Sequence, residues 1–63
     1  MIDNESWRIS IEQSANFIED QDQAETVLGV FEKYNATCLD DLNPVYYSEV
    51  FNELSAIEAD LRD

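Results

Sequence analysis

The chain has 63 residues, of which fifteen are acidic and three are basic, so its formal net charge is −12 at pH 7. A chain this short forms one domain at most, over residues 1–63, and cannot supply both a core and a deep, walled ligand pocket. The negative charge repels phosphates and anionic lipids, which argues against direct binding to nucleic acid or to a membrane.

The first predicted helix covers residues 10–19. Ser10 and Gln13 have the spacing of a capping box, in which two side chains satisfy backbone N–H groups at a helix start. Apolar residues then recur on one helix face, at Ile11, Ala15 and Ile18. A break is predicted near Asp20 and Gln21, because the apolar face would otherwise run into acidic residues. One long bent helix is the alternative.

The segment before this helix contains Trp7 and Ile9, which alternate with Ile11 at the period of a strand. A single strand would have no partner to pair with in so short a chain. Trp7 and Ile9 are therefore predicted to lie in an arm, or in an early helix turn, that packs on the core. Both forms stay open at this point.

The second predicted helix covers residues 22–34. Asp22 with Glu25 resembles a capping box, and both acids suit the positive end of the helix dipole. Asn35 is the expected C-terminal cap. Gly29 lies inside the helix, where it costs about 1 kcal/mol relative to alanine. The apolar face is predicted to contain Ala24, Val27, Leu28, Phe31 and Tyr34.

A short turn is predicted over residues 38–42. Leu39 and Leu42 are expected to face the core from this turn. Asp40 and Asp41 then lie in the first turn of a helix, where the dipole favours negative charge. That position accounts for the pair of acids without a catalytic role.

The last predicted helix covers residues 44–62. Asn43 before Pro44 reads as an N-cap followed by proline at its preferred first helical position. The apolar stripe has no gap and consists of Tyr47, Val50, Leu54, Ile57 and Leu61. Three helices with short connections predict an all-α fold, either a small three-helix bundle or a helical hairpin with a packed N-terminal arm.

The sequence offers no recognisable catalytic set. It contains no histidine, which is the commonest general base and metal ligand near neutral pH. Cys38 has no identifiable activating base, and we interpret it as a small, semi-buried turn residue. Gly29 is the only glycine, so a glycine-rich phosphate loop is absent. The prediction is a protein that is not an enzyme and has no cofactor and no metal site.

Cysteine usage and the N-terminal segment predict a cytoplasmic protein. A single cysteine allows no intrachain disulfide, whereas small secreted domains usually carry several. Residues 1–5 lack the basic region and apolar run of a signal peptide. No window approaches the roughly 18 apolar residues that a membrane-spanning helix needs. A reducing cytoplasm is therefore the expected location.

One face of the last helix combines acids with an aromatic residue. Glu49, Glu53 and Asp60 fall within about 40° of one another at 100° per residue, and Tyr46 lies between them and the apolar stripe. An aromatic anchor beside carboxylates suits a basic protein partner. These four residues form the predicted partner-binding patch. The alternative is that Tyr46 covers the core and the acids are only solvated.

The C-terminal third also carries a family resemblance. The segment DDLNPVYYSEVFNEL, residues 40–54, continuing through residues 57–60, resembles the C-terminal part of short acidic proteins from conjugative mobile elements of gut Firmicutes. The resemblance implies a bacterial cytoplasmic accessory protein of a mobile element. It implies no activity and assigns no functional residues.

The leading functional hypothesis is a non-enzymatic, acidic interaction module that binds a basic protein partner. A self-associating helical subunit, forming a homo-oligomer, is the first alternative, because a core of this size is only marginally stable. A nucleic-acid mimic is the second. It requires the acids to collect on one side, since the average is about one charge per 350 Å² against about one per 100 Å² for duplex DNA.

Overall fold

Three α-helices form the protein in the computed structural model, which describes residues 3–62. They are α1 (Asn4–Asp20), α2 (Ala24–Glu32) and α3 (Tyr47–Arg62), with single 3₁₀ turns at Leu39–Asp41 and Pro44–Tyr46. The residues that the structure describes include no strand, so the predicted all-α fold is confirmed, and the arrangement is a three-helix bundle. Residues 1, 2 and 63 of the predicted domain lie outside the described part.

Helix α1 begins at Asn4, six residues before the predicted start. Its N-cap is Asp3, whose Oδ1 accepts the Ser6 backbone N–H at 2.8 Å, and this hydrogen bond lowers the pKa of Asp3. The predicted cap at Ser10 is therefore wrong, because Ser10 lies within the helix. Trp7 packs edge-on against Phe51 of α3, with ring centroids 5.6 Å apart. The predicted arm is thus the first two turns of α1.

A break separates α1 from α2 at the predicted position, and its geometry explains why α2 starts late. Asp22 has a φ of 62° and donates its N–H to the Glu19 carbonyl, while the Gln23 N–H reaches the Ile18 carbonyl. This is the Schellman pattern, in which a left-handed residue ends a helix. A left-handed Asp22 cannot also serve as the extended N-cap of α2, so the predicted capping box there is wrong. Helix α2 begins at Ala24.

The same motif ends α2. Asn35 has a φ of 63°, its N–H bonds to the Glu32 carbonyl, and the Ala36 N–H bonds to the Phe31 carbonyl. Asn35 thus caps the helix, as the sequence predicts, although the helix itself ends two residues earlier than predicted. Ala36 and Phe31 are both buried, which is the apolar contact that usually accompanies this motif.

Helix α3 follows the predicted pattern closely. The Asn43 side chain accepts the Val45 N–H at 3.1 Å, and Pro44 opens a 3₁₀ turn that leads directly into α3. Tyr47, Val50 and Leu54 are buried along the stripe, and Ile57 and Leu61 are partly buried against the same core. The fully buried side chains at the centre are Ile11, Ile18, Val50 and Leu54.

Two predicted core positions on α2 are wrong. Leu28 is 41% exposed, and Ala24 is exposed as well, although both fall on the predicted apolar face. Helix α2 is buried instead along Val27, Val30 and Phe31, so its apolar surface extends beyond the core on one side. This rotation leaves a groove between α1 and α2, which is described below.

Replacing Gly29 by alanine should stabilise the protein. Gly29 is exposed within α2, and a Cβ atom built there meets no atom within 4 Å. The substitution removes backbone freedom from the unfolded chain without strain in the fold, so we expect a gain of about 0.5–1 kcal/mol. Thermal unfolding followed by circular dichroism tests this, with Gly29→Pro as the disruptive control. A lower Tm for the alanine variant would contradict the open environment of Gly29.

Candidate functional site

The predicted partner-binding patch, here named the α3 patch and formed by Tyr46, Glu49, Glu53 and Asp60, divides into free and engaged residues. Glu49 and Asp60 are exposed, and Tyr46 is 36% exposed. Glu53 is only half-exposed, because its side chain extends from α3 towards the turn that follows α2. The structure therefore leaves Glu49 and Asp60 open to a partner, whereas Glu53 already has partners within the chain.

Glu53 joins α3 to the end of α2. One carboxylate oxygen accepts from Lys33 Nζ at 2.5 Å, and the other accepts from the Tyr34 hydroxyl at 2.5 Å. These two hydrogen bonds, chiefly the one from Lys33, hold the pKa of Glu53 below its ordinary value. Helical periodicity identified the face of Glu53 but could not identify the neighbours that approach it, which lie 19 and 20 residues away in sequence.

Tyr46 rests on Tyr34. Their ring centroids are 5.0 Å apart and the ring planes are tilted by 36°. The Tyr34 hydroxyl is held in turn by Glu53, so Tyr46, Tyr34 and Glu53 form one cluster. The aromatic residue of the α3 patch therefore has a structural partner and presents only part of its ring to solvent.

The Tyr34 phenol should titrate late. Its hydrogen bond to Glu53, followed by burial, raises the pKa of Tyr34 from 10.0 to about 12. Because the folded pKa lies above the unfolded one, this group contributes stability that is complete below pH 10 and is lost as the pH rises to about 12. Ultraviolet absorbance of the phenolate should show a component near pH 12, and Glu53→Gln should move it to lower pH. A wild-type titration without this late component would contradict the Tyr34–Glu53 bond.

Every lysine and arginine of the chain is already paired with an acid. Arg8 binds Asp40 and donates to the Tyr47 hydroxyl at 3.3 Å, and these bonds raise the pKa of Arg8. Lys33 binds Glu53. Arg62 binds Glu58 at 2.8 Å, and its guanidinium lies 4.1 Å from the centroid of the Phe17 ring.

The remaining acids have no such partner. Fourteen of the fifteen acids lie within residues 3–62, and three of them form the ion pairs above. Eleven carboxylates in that range therefore make no ion pair with a lysine or arginine of the range. They are Asp3, Glu5, Glu12, Glu19, Asp20, Asp22, Glu25, Glu32, Asp41, Glu49 and Asp60.

The groove between α1 and α2 has a volume of about 320 Å³ and a largely apolar surface. Its floor is formed by buried or partly exposed apolar residues of both helices and of the turn after α2, namely Ile11, Ala15, Val27, Phe31 and Leu39. Leu28 lines one wall, and Glu12 and Glu19 line the other, with no basic residue among the lining side chains. Sequence reasoning missed this site, because the spacing of seven between Glu12 and Glu19 indicates only that the two acids share a face of α1.

A second depression lies between α1 and α3, with a volume of about 480 Å³. It is lined mainly by small and polar side chains, and its charged members Glu58 and Arg62 bind each other. Arg62, followed by Ser14, lowers the pKa of Glu58 by hydrogen bonding. This depression therefore offers a partner a surface whose charges are already satisfied.

The described side chains include no cluster that could hold a metal ion. Over residues 3–62 there is no group of three histidine, cysteine or carboxylate residues placed to hold a metal, and no buried side-chain polar atom lacks a hydrogen bond. Cys38 is a free, exposed thiol, so the expectation of a semi-buried cysteine is wrong. No helix within that range is long and apolar enough to cross a membrane.

Comparisons of the chain with models of protein families, with curated proteins and with solved structures gave no match.

Proposed function

We propose that this protein is a non-enzymatic interaction module that binds a basic protein partner. The proposal rests on the way the charged side chains pair within the chain. Arg8, Lys33 and Arg62 each bind an acid, while eleven described carboxylates have no basic partner in residues 3–62. Positive charge for those carboxylates has to come from solution, either as salt ions or as the lysines and arginines of another protein.

The negative charge of the protein suits fast recognition of a partner rather than catalysis. Complementary potentials steer encounter and raise association rates, and the effect weakens as salt increases. The family resemblance of residues 40–54 is compatible with an accessory role in a bacterial mobile element, and such a role would place the protein in a reducing cytoplasm, where the exposed Cys38 thiol would stay reduced. Mobile-element origin and cytoplasmic location are part of the proposal.

Partner capture followed by kinetics tests the proposal. The protein is immobilised and exposed to a bacterial lysate at low salt, and proteins that bind specifically are identified and purified. We expect a partner with a net positive charge whose association rate falls steeply as salt rises. A specific partner that is acidic, or one whose association rate does not depend on salt, would sink the proposal.

The α3 patch can be tested with the same purified partner. Glu49→Lys combined with Asp60→Lys should slow association and flatten its salt dependence if this face binds, and Tyr46→Ala should shorten the lifetime of the complex. Glu53 is unsuitable for charge reversal, since a lysine there would face Lys33 and remove the acceptor of the Tyr34 hydroxyl. Unchanged kinetics in the double variant would show that the partner binds elsewhere.

A further inference from the structure

The groove between α1 and α2 has acids on its α1 wall, and further acids lie outside it on α2. Residues seven apart differ by about 20° around a helix, so Glu5, Glu12 and Glu19 form one exposed row along α1. On α2, Glu25 and Glu32 are also seven apart and exposed. At 100° per residue they lie about 40–60° beyond Leu28, on the side away from the core.

The groove also presents apolar surface that the fold leaves uncovered. Leu28 is 41% exposed at its wall, and Ala24 and Cys38, which also line it, are exposed. Ile9, on the far side of the acidic row of α1, is 49% exposed. On the α3 patch, Tyr46 packs on Tyr34 and Glu53 is engaged, although Tyr46 and its neighbour Val45 are exposed. The groove therefore combines free acids with open apolar surface in one concave site.

We propose that this groove is the docking site for the basic partner, and that it receives an amphipathic segment whose apolar side chains enter the groove between lysines or arginines. The inference rests on the proposed function and adds the surface and the type of ligand. Leu28 and the groove floor would contact the apolar anchors, and Glu12 and Glu19 on the α1 wall would face the bases. Glu25 and Glu32 lie outside the groove beyond Leu28 and would meet bases farther out on the segment. Amphipathic helices bind apolar grooves in this way, through anchors at positions i, i+3, i+4 and i+7.

The negative charge of the groove favours a basic amphipathic segment over a second copy of the chain or a small molecule. A second copy of the chain would bring the same acids against Glu12 and Glu19 and carries a net charge of −12 of its own. A small-molecule ligand needs a few convergent donors and acceptors for orientation, whereas the charged groups lining this groove are two carboxylates on one wall. A basic amphipathic segment satisfies both the acids and the apolar floor.

Three synthetic peptides test the docking site. The probe carries leucines at i, i+3, i+4 and i+7 with lysines at the other positions. One control keeps the lysines and replaces the leucines by serine, and the other keeps the leucines and replaces the lysines by glutamate. Each is titrated at low salt into the full-length, ¹⁵N-labelled protein, and backbone amide shifts map the contact. We expect the leucine–lysine probe to bind tightest and to shift amides of residues such as Ala15, Ala24, Leu28 and Leu39.

Charge reversal on the two faces provides matched variants. Glu12→Lys with Glu19→Lys changes the groove, and Glu49→Lys with Asp60→Lys makes the same change in net charge on α3. All four residues are exposed, so both variants should fold, which circular dichroism checks. The groove variant should weaken the probe about tenfold or more, since reversing two close charge contacts costs more than the 1.4 kcal/mol that equals tenfold. The α3 variant should weaken it less, and Leu28→Ser should also weaken it.

The outcomes separate the docking site from the proposed function. Shifts confined to the α3 patch, or equal binding of the leucine and serine peptides, would overturn the groove and leave a charge-selected module intact. Both proposals would be overturned if neither lysine peptide bound at low salt. They would also be overturned if the glutamate control bound as tightly as the leucine–lysine probe. Both proposals would be supported if the amide shifts mapped to the groove and if only the groove variant lost affinity for the probe.

Discussion

Replacing Leu54 by alanine is expected to lower the free energy of unfolding by about 2–5 kcal/mol, as large-to-small changes in a packed core do. Leu54 is fully buried at the middle of α3, and α1 packs against this helix more extensively than against α2. At about 0.05–0.15 kcal/mol per residue, a chain of 63 residues has a total stability of only about 3–9 kcal/mol. The variant should therefore lose a large fraction of the total stability and unfold at a markedly lower temperature and urea concentration, which far-ultraviolet circular dichroism would measure.

Two further substitutions keep this prediction falsifiable if the alanine variant does not fold. Leu54→Met nearly conserves volume and should cost less than about 1.5 kcal/mol, so it should give a measurable transition. Asn52→Ala changes an exposed residue of the same helix and should alter stability by less than about 0.5 kcal/mol. If Leu54→Ala and Asn52→Ala had equal effects, the buried face of α3 would be misassigned.

Glu53 cannot serve as the neutral control that its position on the polar side of α3 suggests. The sequence alone leads to the expectation that Glu53→Ala changes little, yet Glu53 accepts hydrogen bonds from Lys33 and from Tyr34, which in turn packs on Tyr46. We expect Glu53→Ala to lower Tm measurably, though by less than Leu54→Ala, because its side chain is partly solvated.

The sequence determined the parts of the fold that depend on periodicity. The ungapped apolar stripe of α3 and the Asn43–Pro44 start are local signals, and the structure contains both. The two capping boxes predicted at Ser10 and Asp22 were wrong for a shared reason. Short polar side chains occur at caps, inside helices and in left-handed turns, so their spacing alone does not distinguish these settings.

The start of α1 and the rotation of α2 needed tertiary information. Trp7 and Ile9 alternate like a strand, but the Trp7 ring packs on Phe51 of α3, and this contact favours helix at the N-terminus. Leu28 lies on the apolar side of α2 and is nevertheless exposed, because Val27, Val30 and Phe31 are the α2 residues that enter the core. The spacing of residues in the sequence shows which side chains share a face of a helix. It does not show which of two adjacent faces the neighbouring helices cover.

The same limit applies to the candidate sites. The acids of the α3 patch could be found from spacing, and two of them, Glu49 and Asp60, are exposed as expected. The engagement of Glu53 by Lys33 depends on residues twenty positions apart, which no local pattern reveals. The groove depends on the distance between two helices, so the sequence could show only its acidic row on α1 and not its apolar floor.

Raising sodium chloride from 0.02 M to 0.3 M is expected to raise Tm. The radius of gyration is 10.8 Å, while the Debye length is about 20 Å at the lower concentration and about 6 Å at the higher. At low salt the eleven described carboxylates that lack an ion pair therefore repel one another across the whole molecule, and at high salt only near neighbours do. Screening also weakens the three ion pairs, but these are solvent-exposed and contribute little. Relief of repulsion should dominate.

A neutralised groove supplies the control for this salt effect and links it to binding. Glu12→Gln with Glu19→Gln preserves side-chain size and removes two negative charges, so Tm at 0.02 M should rise and its dependence on salt should flatten. A wild-type Tm that is flat or falls with salt would show instead that the acids are compensated individually, for example by an ordered cation. If the groove binds a basic segment, this more stable variant should also bind the leucine–lysine probe more weakly, because the charges that destabilise the free protein are those that the partner neutralises.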